Sequence, residues 1–71
     1  MWSADIANNP DEDYRLYIEL LEDDTTYRGR IDLGKDGHLT LTIYPTDKFL
    51  DIPVEWLKSL LAGAQKDLGS T

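Results

Sequence analysis

"YRLYIELLEDDTTYRGRIDL", residues 14–33, holds two runs of period two on either side of an acidic break. In the first run Tyr14, Leu16, Ile18 and Leu20 take one side and Arg15, Tyr17 and Glu19 the other. That alternation belongs to a strand with one buried face. In the second, Tyr27, Gly29, Ile31 and Leu33 alternate with Arg28, Arg30 and Asp32. With Asp23-Asp24 as a two-residue loop, Leu20 is expected opposite Tyr27, and Leu16 opposite Ile31, in the core. On the outer face Glu19 would meet Arg28, Tyr17 would meet Arg30 and Arg15 would meet Asp32. Opposite charges paired in this way favour neighbouring strands by roughly 0.2–1 kcal/mol each.

The pattern continues outward from this hairpin. Residues 38–44 place Leu39, Leu41 and Ile43 inward and Thr40, Thr42 and Tyr44 outward. "GKDGH" before them suits a three-residue loop, Lys35-Asp36-Gly37, with Gly37 taking positive φ. Leu33 then faces Leu39, Arg30 meets Thr42 and Arg28 meets Tyr44. "FLDI", residues 49–52, reads as a short fourth strand or a lead into a helix. The helix is "PVEWLKSLLAGAQKDLG", residues 53–69. Pro53 suits its first position, Glu55 its first turn, Lys66 its last turn and Gly69 its stop. Val54, Leu57, Leu60, Leu61, Ala64 and Leu68 form one apolar stripe. Trp56 lies on the shoulder of that stripe, as the edge of the core or as an exposed anchor for a partner.

The chain is therefore expected to be α+β: an antiparallel meander of three to four strands, with one C-terminal amphipathic helix packed on one face. Residues 1–13 show no period and read as an N-terminal arm anchored by Trp2 and Ile6. Residues 14–68 form the domain and 69–71 a tail.

Seventy-one residues make a small domain, and a core of that size supplies roughly 3–5 kcal/mol. There is no cysteine, which removes disulfides, thiolate metal sites and a cysteine nucleophile together. A homodimer is the remaining prop. No apolar run approaches the ~18 residues of a membrane span, and the first ten residues lack the features of a signal peptide. The expected place is the cytoplasm, with no membrane contact.

The net charge of −7 is unevenly distributed. Residues 1–24 carry eight acids (Asp5, Asp11, Glu12, Asp13, Glu19, Glu22, Asp23, Asp24) against Arg15, which gives −7; residues 25–71 balance six acids with six bases. Such asymmetry favours basic partners and opposes long contact with phosphates, although acidic surfaces also keep small proteins soluble.

Catalysis and metal binding find little support. "DLGKDG" offers Asp32, Asp36 and Gly37 to a calcium loop but fails at Gly34 and Ile43, where further ligands belong. The triplets at residues 11–13 and 22–24 flank a strand and lie about 25 Å apart, too far to share an ion. His38 has no partner placed by sequence, and Ser3, Ser59 and Ser70 lie in no nucleophile motif. No phosphate-cradling glycine loop is present. No cofactor, no metal and no enzyme activity is expected.

Two surfaces remain. One is the outer sheet face of Tyr17, Arg28, Arg30, Thr42 and Tyr44, to which Trp56 adds a partly exposed aromatic. Aromatics beside arginines on an open sheet serve single-stranded nucleic acids. In element order, meander then helix, residues 14–68 resemble the dimeric single-strand-DNA-binding domains of transcriptional positive cofactors. That resemblance implies a dimer binding nucleic acid on its open face, or using the face as its dimer interface. The chain departs from it in an acidic first strand and the want of a lysine cluster, and a shared fold does not carry function. The other surface is the acid: Asp11, Glu12, Asp13, Glu22, Asp23 and Asp24 form a negative edge. In size, acidity and lack of catalytic residues the chain is similar to phage-encoded inhibitors of bacterial defence systems and to toxin-neutralising proteins. The leading expectation is a non-enzymatic, nucleic-acid-mimicking binder of a basic protein partner, with the nucleic-acid-binding dimer as the alternative.

Overall fold

The computed structural model describes residues 1–69. The last two residues of the expected tail, Ser70 among them, lie outside the described residues. Four strands, β1 (Trp2–Asn9), β2 (Arg15–Glu22), β3 (Thr26–Leu33) and β4 (Leu39–Ile43), precede one helix, α1 (Val54–Gly69). The strands form a single open antiparallel sheet in the order β1-β2-β3-β4. The expected α+β layout is therefore what the chain adopts.

The fourth strand comes from the N-terminus, and residues 49–52 are not in a strand. The residues read as an arm pair along the whole of β2, from Trp2 opposite Glu22 to Asn9 opposite Arg15. Trp2, Ala4 and Ile6 point to the helix side, so the alternation was present but carried by a small Ala and followed by two asparagines. A 3-10 turn at Pro10–Glu12 joins β1 to β2. Asn9 Oδ1 accepts from Asp11 N, Pro10 takes the first helical position, and Asp13 ends the turn in the left-handed region.

The β2–β3 turn has both central residues left-handed, Asp23 at φ 54° and Asp24 at φ 59°, and Thr25 N donates to Glu22 O at 3.2 Å. These are the dihedrals of the hairpin turn whose twist matches the strands. The register departs from expectation first at the turn, where Glu22 pairs with Thr26 and three residues, Asp23, Asp24 and Thr25, stand between the paired strands in place of two, and then again one step further on. Leu21 faces Tyr27 but Leu20 faces Gly29, so Arg28 has no partner on β2 and forms a bulge. Such an insertion re-aims the side chains around it. Ile18 consequently meets Ile31, and Glu19 meets Arg30 in place of Arg28. Tyr27, expected in the core, is mostly exposed. Gly29 takes the inner position opposite Leu20.

The second hairpin follows the expected register: Leu33 faces Leu39 and Arg30 faces Thr42, and Tyr44 N donates to Arg28 O at 2.9 Å. The loop closes between Gly34 N and His38 O, with Gly37 at φ 83°.

The helix covers the centre of the sheet. Ile18, Leu20 and Ile31 pack against Ala64 and Leu68, with Leu16, Leu33, Leu60 and Leu61 around them. Trp56 is a core-edge residue: its ring lies 6.1 Å from that of Trp2, and Trp2 Nε1 donates to Asp51 O. Pro53 O accepts from Leu57 N at the start of the helix, while Val54, expected in the stripe, is exposed. At the other end Gln65 Nε2 donates to Gly37 O and ties the helix to the β3–β4 loop. No helix among the described residues is long and apolar enough to cross a membrane.

Candidate interaction surfaces

The two acidic triplets lie at opposite ends of β2, as expected, and differ in what surrounds them. Glu22 is held twice, by Arg28 Nε at 2.9 Å and by Lys48 Nζ at 3.2 Å. Lys48 first, and then Arg28, keeps the Glu22 carboxyl below its ordinary range. Lys48 arrives on the connection after β4, a link that no local pattern announces. Asp23 Oδ1 lies 2.5 Å from the amino group of Met1. By contrast, Asp11, Glu12, Asp13 and Asp24 are exposed and enter no ion pair among the described residues. Of the six acids expected to act as one edge, four are open and two are engaged.

Local structure accounts for part of this acidity. Asp13, Asp23 and Asp24 occupy left-handed positions, which Asp tolerates better than most residues because its short polar side chain bonds locally. Asp11 and Glu12 stand in the first turn of the 3-10 segment, where exposed N–H groups favour a carboxylate.

On the outer face the strand pairing sets Asp5 beside Glu19 and Glu19 beside Arg30. Glu19 is the hub. Tyr44, which continues β4, reaches across β3 to donate to Glu19 Oε2 at 3.1 Å. Tyr17 lies close enough to Glu19 to feel its charge. Burial in the face, and then Glu19, push both phenols above their ordinary value. Arg30 Nε lies 3.1 Å from Asp32 Oδ2, off the axis of a hydrogen bond and shielded from water. The expected pairs Glu19–Arg28 and Tyr17–Arg30 are thus replaced, through the extra turn residue and the bulge together, by Glu19–Arg30 across the strands and Arg28–Glu22 at their end. Thr42 is exposed beside Arg30. Trp56 does not belong to this face.

Arg15, expected opposite Asp32, instead sends Nη2 to Leu33 O. A cleft of about 200 Å³ beside it is lined by Glu12, Arg15, Tyr17, Arg30 and Asp32 among others. Its walls carry both signs of charge in roughly equal measure. Asp36 caps its own loop by accepting from His38 N, so the residues of the candidate calcium loop serve the turn. Among the described residues no three His, Asp or Glu side chains converge as a metal site would require. No protein-family model, curated protein or solved structure matches the chain.

Proposed function

We propose that this protein is a non-enzymatic interaction module whose acidic β1–β2 hairpin docks on a basic partner protein, at a surface that otherwise receives nucleic acid. A phage-encoded inhibitor of bacterial defence or a toxin-neutralising protein would work in this way. One observation carries the reading: residues 1–24 hold the entire net charge of −7 and fold into a single hairpin at one edge of the sheet.

Because β1 lies along β2, the edge strand adds Asp5 between the two acidic turns. The open carboxylates of Asp11, Glu12 and Asp13 at one end and Asp24 at the other are separated by the length of an eight-residue strand, about 25 Å at ~3.3 Å per residue. Charges spaced along such an edge act together on an approaching cation-rich surface, and they raise the association rate more than the final affinity.

The alternative, a single-strand binder on the outer face, asks Arg28 and Arg30 to meet phosphates. Both guanidiniums already face carboxylates, Glu22 and Asp32, and the Tyr44 hydroxyl donates to Glu19. A phosphate would have to displace these pairs. The experiment is capture of proteins on immobilised wild-type chain from lysate of the cell it acts in, followed by elution with duplex DNA. The expected result is a basic protein released by the duplex and not retained by an Asp11→Lys, Asp13→Lys, Asp24→Lys variant. Equal retention by the variant overturns the reading, and tight binding of a bare single strand by the wild-type chain supports the alternative instead.

A further inference from the structure

The two edges of the sheet are unlike. β1 is guarded by charge: Asp5 is exposed along it and an acidic turn lies at each end. β4 has no such guard. Residues 39–46, "LTLTIYPT", contain no Asp, Glu, Lys or Arg, and no other strand pairs with β4 on its far side. Natural edge strands are kept apart by charge, proline or a covering element; Leu39–Ile43 contains neither charge nor proline, and Pro45 lies two residues past its end.

The hydrogen bonds fix which groups of β4 are open. Tyr44 N donates to Arg28 O and His38 O accepts from Gly34 N, so the even-numbered residues address β3. Alternation in an antiparallel ladder then turns the N–H and C=O groups of Leu39, Leu41 and Ile43 outward, away from the sheet. The side chains of the same residues lie on the helix face. Leu41 and Ile43 are 39% and 41% exposed there, because the helix packs on β2 and β3.

We propose that β4 pairs antiparallel with β4 of a second copy of this chain, about a two-fold axis at Leu41, joining the two sheets into one of eight strands. Leu41 then meets Leu41 of the second copy, and Leu39 meets Ile43. The self-complementary register places β-branched and apolar side chains opposite one another, the pairs that favour strand association. Charge selects the occupant. Two chains of net charge −7 repel each other through most of their surface, and a neutral edge is where they approach at least cost. The acidic hairpin begins two strands from that edge, about 10 Å away, roughly one screening length at physiological salt. In the dimer the two acidic hairpins lie at the far ends of the joined sheet and stay open, so the pairing leaves the proposed partner surface free.

The absence of cysteine makes the test direct. Sedimentation of the wild-type chain is expected to give twice the 8.1 kDa mass of one copy at high micromolar concentration. Leu41→Lys, with an unchanged far-ultraviolet circular dichroism spectrum, is expected to sediment as a monomer. Leu41→Cys is expected to form an interchain disulfide under mild oxidation much faster than Asn8→Cys on the opposite edge, a readout that needs no destabilised variant. A wild-type chain that stays monomeric, a folded Leu41→Lys dimer, or equal cross-linking at the two edges overturns the proposal.

Discussion

Glu22 and Glu19 show how single carboxylates serve this sheet. The bulge that leaves Arg28 without a partner on β2 also brings its guanidinium to Glu22, and Lys48 adds a second cation. A carboxyl whose pKa is lowered by folding contributes stability that is fully present above its ordinary value and is lost as pH falls through the lowered one. Glu22→Gln is therefore expected to lower the urea midpoint at neutral pH, and the gap from wild type is expected to close in acid; an equal gap at both pH values would contradict the assignment. The tyrosines carry the opposite sign. Burial and Glu19 raise the Tyr44 and Tyr17 phenols, so their contribution is present below the ordinary tyrosine value and lost as pH rises through the raised one. Ultraviolet titration of Glu19→Gln should show the part of the tyrosine absorbance change that comes last in wild type moving to lower pH. An unchanged titration curve would mean that Glu19 does not hold the phenols.

At the scale of elements, the strands and the helix were legible where alternation was strong. β2, β3, β4 and α1 follow from the period of their side chains, and Gly37 marks its own loop. β1 was not legible as a strand because Ala4 and Ala7 give a weak signal and "NNP" looks like a loop. The Trp2, Ala4, Ile6 alternation was nevertheless there to be read. The bulge at Arg28 was invisible, since a one-residue insertion leaves the local pattern of each strand intact while moving their pairing. Gly29 gave a hint. A Cβ there would sit 2.6 Å from the backbone oxygen of Thr42, so the strand needs glycine where β4 approaches. Gly29→Ala should cost about 1–3 kcal/mol, the usual range for overpacking, measured by chemical denaturation; a neutral substitution would show that β3 and β4 are not so close. Asp24 sits at positive φ in the hairpin turn, where an L-residue gives up about 1–2 kcal/mol. Asp24→Gly is expected to raise the denaturation midpoint, and a lowered midpoint would place the Asp24 side chain among the groups that hold the turn.

For the molecule as a whole, the sheet sorts its charge by strand order. The first hairpin carries the net charge, the second has three bases against two acids, and its outer strand β4 has no charged residue, which is why the two edges are proposed to meet different partners. The acidic surface was legible in the sequence as composition, and its division was not. That Glu22 is engaged with Lys48 depends on a contact between residues 26 positions apart, which no local reading supplies. The proposed docking edge is made of the carboxylates that stay open, Asp11, Glu12, Asp13 and Asp24. Its most direct test is the association rate of the captured basic partner with wild-type chain and with the Asp11→Lys, Asp13→Lys, Asp24→Lys variant, across a range of salt. The expected result is a wild-type rate that falls steeply with salt and a variant rate that is at least tenfold slower at low salt and nearly flat. Equal rates with equal salt dependence would contradict the acidic edge as the site of docking.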